Sequence, residues 1–241
     1  MGVNFFNILL ALNFLMLLSA GAPINRDSTQ YSELEDDLIS LQNKEQIDSA
    51  INKAYALNYS DPEQALNLAE NALIRSKELS YTSGIASAYS KMAIVFKNTG
   101  KYEKGIAACD SALKYSSFIN NSEIKAQAFN TKGTIYYYQS KYRLAINWYE
   151  RSLEIYKSRE MASHAATLLN NIGLALSELA DYNQALDYYF EALKIHEQEN
   201  HKEGIALTLA NIGIVYFNLG NLDKAMEFYG RSLNIRLEIK D

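Results

Sequence analysis

An all-α repeat architecture follows from the sequence on three counts. Proline is nearly absent: of 241 residues only Pro23 and Pro62 are proline, and Glu63 to Asp241 contains none, which folds with many turns and strands rarely manage. Small residues recur at a spacing of 40, at Ala93, Gly133, Gly173 and Gly213. Three further columns keep that spacing: Phe96, Tyr136, Leu176 and Tyr216; Gly105, Ala145, Ala185 and Ala225; and Cys109, Tyr149, Tyr189 and Tyr229. Within a period the apolar residues step by three and four, as in Ala166, Leu169, Gly173 and Leu176, then Tyr182, Ala185, Leu186, Tyr189 and Leu193, which describes two amphipathic helices.

Taken from the start, Met1 to Asn25 carries no charged side chain, and Phe5 to Leu18 is apolar except for Asn7 and Asn13. Residues 1–22 are therefore expected to be a secretory signal: the run is shorter than the roughly 20 residues of a membrane span, and Ala20-Gly21-Ala22 offers small residues for cleavage. Pro23 disfavours cutting after Ala22, leaving Ala20 or Gly21, and no Cys follows to accept a lipid. An uncleaved short anchor is the alternative. Residues 23–44 are polar and acidic and read as a tether. A degenerate unit follows at 45–82, with Asp61-Pro62-Glu63 opening its second helix, while its first helix, about Glu45 to Asn58, has Lys53 where a small residue would stand. Four regular units are expected at 84–119, 124–159, 164–199 and 204–241. Their helices are joined by turns at Thr99-Gly100-Lys101, Ser140-Lys141, Ala180-Asp181 and Leu219-Gly220-Asn221.

The pattern of Leu or Ile before Gly, then Tyr, Ala, an aromatic residue and Ala, resembles the tetratricopeptide repeat (TPR) from about residue 45 to 241. The spacing resembles the 40-residue variety of kinesin light chains and bacterial signalling arrays. The family's tryptophan is replaced by Tyr89, Phe129, Leu169 and Leu209, and its terminal proline by Ser117, Lys157, Glu197 and Leu237, so the second helix can run on. The resemblance implies a right-handed α-solenoid of about five stacked helix-turn-helix units, whose first helices line a concave face that binds another protein as an extended peptide or a helix.

It also implies where that groove lies. Lys91, Thr131, Asn171 and Asn211 occupy one equivalent place per unit, where asparagines of the 40-residue relatives hold a peptide backbone. An amide both donates and accepts, and so suits that task. Gln127, Asn130, Thr134, Tyr137, Tyr138, Thr167, Asn170, Glu178 and Asn218 neighbour them at helical spacing. Only Lys91 and Lys97 are basic on this face, which does not support an acidic C-terminal ligand. Tyr136, Tyr149, Tyr189 and Tyr229 are expected in the core.

The remaining composition excludes more than it assigns. A net charge of −5 offers no footprint for nucleic acid or an anionic membrane surface. The single Cys109 excludes an internal disulfide and reads as a packing residue. His164, His196 and His201 lack the four-residue spacing of a helical metal site, and no Gly-rich phosphate loop occurs. His196 and His201 fall near a helix end, where a protonated imidazole is favoured. No cofactor, metal, small-molecule substrate or catalytic residue is therefore expected. Asn58 and Asn120 match glycosylation acceptors, and Glu150 and Glu191 read as surface charges. Leu222, Met226, Leu233 and Leu237 leave an apolar face on the last helix, for a homodimer or further chain to cover. Two functions follow as expectations: an exported scaffold for another protein, or the sensory part of a longer signalling protein.

Overall fold

The computed structural model describes residues 41–239, and the expected signal at 1–22 and most of the tether lie outside the described residues. Ten helices and no strand are described: α1 Lys44–Ala56, α2 Pro62–Glu78, α3 Thr82–Asn98, α4 Tyr102–Phe118, α5 Ser122–Tyr138, α6 Tyr142–Ser158, α7 Ala162–Glu178, α8 Tyr182–Gln198, α9 Lys202–Asn218 and α10 Leu222–Ile239. They stack as antiparallel pairs into the expected right-handed α-solenoid. Lys44, placed in the tether by sequence, is instead the first residue of α1, capped by Asn43, and α1 ends two residues before the expected Asn58. Lys53 points to solvent, and the neighbouring Ala54 is buried.

The backbone repeats every 20 residues, half the sequence period. Each helix from α2 to α9 spans 17 residues, and every connection after α2 turns on one residue at positive φ: Ser80, Gly100, Asn120, Ser140, Glu160, Ala180, Asn200 and Gly220. The next residue's N–H reaches back to the carbonyl five positions earlier, as from Lys101 to Phe96 at 2.8 Å and from Asp181 to Leu176 at 2.9 Å. This closes each helix with a left-handed cap that satisfies its last carbonyls. Starts are capped where the side chain allows: Asp61, Asn121, Asp181 and Asn221 accept from backbone N–H groups of the first turn, and Pro62 takes a position that needs no donor.

Within a pair, the small residue of the first helix seats an aromatic ring of the second. A Cβ added at Gly133 would fall 2.6 Å from Tyr149, at Gly173 2.8 Å from Tyr189 and at Gly213 2.8 Å from Tyr229. Where the first helix has Ala93, the second has the smaller Cys109, and both are fully buried. One core links α5 to α10 around Tyr149, Leu169, Ile172 and Tyr189; a second joins α1 to α4 around Ile47, Ala69 and Cys109. Tyr229 departs from expectation: it covers Gly213 but stays 39% exposed, because no described helix follows α10.

Candidate binding groove

Successive first helices touch, α1 with α3, α3 with α5 and α7 with α9, whereas no two successive second helices make a comparable contact among the described residues. The stack therefore curves toward its first helices, and their outer surface is concave. Two clefts lie on it. One, of about 340 Å³, runs between α1, α3 and α5 and is lined by Asp48, Ser87, Lys91, Glu123 and Gln127 among others; it is polar. The other, of about 330 Å³, lies between α7, α8 and α9, and Leu174, Ile214, Glu178, Asn211 and Asn218 form much of its wall.

The predicted groove residues separate into those turned to the concave surface and those used within the protein. Lys91 Nζ donates to Gln127 Oε1 at 3.2 Å and lies over the Tyr55 ring, and burial lowers its pKa against the opposing charge of Glu123. Thr131 is only 6% exposed, and Thr134 is bonded to the Asn130 carbonyl and to Tyr149, so neither hydroxyl faces outward as the sequence suggested. Thr167 is exposed, its hydroxyl bonded to the Ser163 carbonyl. Glu178 accepts from the hydroxyls of Tyr137 and Tyr142, at 3.3 and 3.2 Å, and burial, helped by the charge of Glu178, pushes the Tyr137 phenol up to about 12. Tyr138 is exposed and stacks on Tyr102. Lys97 is half-buried, and desolvation lowers its pKa.

The amides divide most sharply. Asn211 is 9% exposed and donates to Asn170 Oδ1 at 3.0 Å, tying α9 to α7. One unit earlier the same positions are Asn130 and Asn171, and that bond is missing: Asn130 Oδ1 is buried without a hydrogen-bond partner. Asn171 is half-buried with no side-chain partner, and α5 and α7 are joined instead by the Tyr137–Glu178 hydrogen bond and their shared core. Of this second pair, the Asn130 oxygen is enclosed in the protein, and the Asn171 amide is the one left without a side-chain partner.

Sequence reasoning missed three apolar members of this face: Leu207, Ile214 and Phe217 of α9 are 47, 43 and 58% exposed. The signal was available, since α9 carries apolar residues on all sides where its counterpart α5 has Gln127, Thr134 and Tyr137. It also separated His196 from His201. Their Nδ1 atoms approach to 3.3 Å across the turn from α8 to α9, a pairing that helical spacing does not anticipate because the turn folds the chain back. His196 is 4% exposed, and desolvation with the charge of His201 lowers its pKa, so the expected protonated imidazole is disfavoured there. Among the described residues no group of three or more His, Cys, Asp and Glu side chains could hold a metal ion. Burial pushes the Cys109 thiol up to about 12, against the partial opposition of Lys132 and Lys97, as a packing role requires. Asn58, a sequence match for glycosylation, is buried and bonded to the Tyr55 carbonyl, which closes it to modification. No helix among the described residues is long and apolar enough to cross a membrane.

The tetratricopeptide-repeat family model matches residues 84–158 and 164–238, more than half of the chain. No curated protein matches the sequence. Among solved structures, BtubC (BKLC) of P. vanneervenii is 22% identical with a TM-score of 0.65, over 86% of this chain and 92% of that one. A kinesin-light-chain-like protein of Podosopora anserina, built of nearly identical TPR-like repeats, is 12% identical with a TM-score of 0.66, over 81% and 96%. The signal transduction ATPase of Pyrococcus horikoshii that has a tetratricopeptide repeat sensor is 20% identical with a TM-score of 0.72, over 85% of this chain but 31% of that one.

Proposed function

The chain belongs to the tetratricopeptide-repeat family, and on that premise we propose that it is an exported, non-catalytic scaffold that captures an extended segment of another protein along its first-helix face. The observation that supports this most directly is the pair of clefts along that face, together with the half-buried Asn171 amide, which has no side-chain partner and offers both a donor and an acceptor to the peptide unit of a bound strand. The chemistry of the flanking clefts sets what that segment carries. Polar side chains suit the Lys91 and Glu123 end, and an apolar side chain suits the end formed by Leu174, Leu207 and Ile214. Export is supported by the apolar, uncharged start of the chain at 1–22.

A photo-crosslinker placed at Leu207 in living cells, followed by identification of the joined segment, tests the reading. A synthetic peptide of that segment should then bind the wild type and lose about tenfold in affinity with Asn171→Ala, roughly the 1.4 kcal/mol of a well-placed hydrogen bond. Unchanged affinity would remove Asn171 from the site. Periplasmic or culture-medium recovery of a chain lacking its first 20 or so residues would support export.

A second reading has its own observation. The Pyrococcus horikoshii ATPase pairs a repeat sensor with other domains, and this chain covers under a third of it. On this reading the repeats are the sensory part of a longer signalling protein, and the same groove would receive the signal.

A further inference from the structure

The cleft between α1, α3 and α5 holds charges of both signs, and its polar groups are only partly used within the chain. On the α1 side, Tyr81 donates its hydroxyl to Asp48 Oδ2 at 2.9 Å; on the α5 side, Gln127 Nε2 donates to Glu123 Oε1 at 3.5 Å. The second oxygen of each carboxylate accepts no hydrogen bond among the described residues. Lys91 stands on α3 between them and gives one N–H to Gln127 Oε1. Burial lowers its pKa in spite of Glu123, so the ammonium is short of the stabilisation that water or a further negative charge would give.

Ser90 is the part of the lining that the fold leaves unexplained. It is 1% exposed, and its hydroxyl has no hydrogen-bond partner. Two units on, Asn170 stands at this position and is bonded to Asn211 of the next first helix. Serine is shorter, and the hydroxyl does not reach Thr131, the counterpart of Asn211. The last unit has Ala210 there, so the repeat does not need a hydroxyl at this place. A buried hydroxyl without a partner is costly, and this one belongs to the wall of the cleft.

We propose that this cleft binds a free α-amino acid. The ligand's carboxylate lies against the Lys91 ammonium and accepts from the Ser90 hydroxyl, while its ammonium donates to the open oxygens of Asp48 and Glu123. The set complements a zwitterion and neither charge alone: a lone anion would face two carboxylates, and a lone cation would face Lys91. An internal stretch of peptide has neither terminal charge, and a chain end has only one. The volume of about 340 Å³ is at the small end of ligand pockets, which suits a single molecule of this size. Ile51 and Ile124 are the only aliphatic members of the wall, so a short or polar side chain fits best. The ligand fills the polar end of the first-helix face and leaves the end at α7 and α9 open, so the inference does not rest on peptide capture there.

Thermal unfolding of the full chain, with the common L-amino acids added one at a time at millimolar concentration, should show a raised Tm for at least one of them. Calorimetric titration then gives its affinity. The N-acetyl derivative of that amino acid, and the amine that lacks its carboxylate, should each bind at least about tenfold more weakly. Lys91→Met should weaken binding by more than about tenfold. Ser90→Ala should weaken it about fivefold without lowering the Tm of the ligand-free chain, a combination that a merely structural hydroxyl would not give. Failure of every amino acid to bind, an N-acetyl derivative that binds as well as its parent, or unchanged affinity in either variant would overturn the proposal. Peptide capture is read at Leu207 and Asn171, so each reading can fail while the other stands.

Discussion

The ring of Tyr189 occupies the space that a side chain at Gly173 would need, with its Cε1 atom 2.8 Å from where that Cβ would fall. The ring is buried and held between helices, so it cannot swing aside. Gly173→Ala should therefore cost about 1–3 kcal/mol. Ala93 and Cys109 show the compatible alternative at the same two positions. In a double-mutant cycle with Tyr189→Cys, the Gly173→Ala cost should shrink by at least about 0.5 kcal/mol, read from urea midpoints. An additive pair would mean that the contact is not what fixes the glycine.

The histidine pair makes stability depend on pH. The pKa of His196 is lower in the folded chain than its ordinary value near 6.5, so the unfolded chain binds more protons between the two values and stability falls as pH drops through that window. The urea midpoint should be level well above the ordinary value near 6.5 and decline as the pH falls through and below it. His196→Gln, which removes the titrating ring, should flatten that decline.

Ala180 sits at φ 59°, where Gly100 and Gly220 serve the same turn without a Cβ. Ala180→Gly should stabilise the protein by about 1 kcal/mol, raising Tm by about 2–4 °C. Asn200→Gly should do less, since asparagine tolerates this conformation. Equal shifts at both sites would locate the cost elsewhere than the Cβ.

Asn171 and Asn211 occupy equivalent places and should behave differently. Asn211→Ala strands the buried oxygen of Asn170 and should cost about 1–3 kcal/mol, whereas Asn171→Ala should stay within about 0.5 kcal/mol of wild type. Chemical denaturation of the two variants settles which amide is structural.

The pairs above also show what the sequence made legible. Periodicity outlined the pairs from α5 to α10, because burial there repeats with the spacing of the small residues and the aromatic residues that cover them. It could not separate Asn171 from Asn211, since both fall in one column and differ only in whether the amide on the preceding first helix is bonded, as Asn170 is to Asn211. Thr131 and Thr134 were read as groove residues for the same reason: one turn of helix places a side chain near the face, and its rotamer decides whether the hydroxyl looks inward. Tyr229 was expected in the core because its column is buried elsewhere, yet burial at that position is supplied by the following helix. His196 and His201 were kept apart by counting along one helix, whereas the left-handed residue Asn200 brings them together.

The left-handed residues at every twentieth position also fix how the array could change its length. One residue added inside a helix would turn everything beyond it by about 100° and lift it by about 1.5 Å, breaking the contacts that straddle it, such as Gly173 on Tyr189 for an addition between them. Loss of one whole hairpin pair, by contrast, joins two turns of the same geometry and leaves every remaining contact in place. Growth and shrinkage of such a chain are therefore quantised, and variants that differ by whole units would present the same face over a shorter or longer reach.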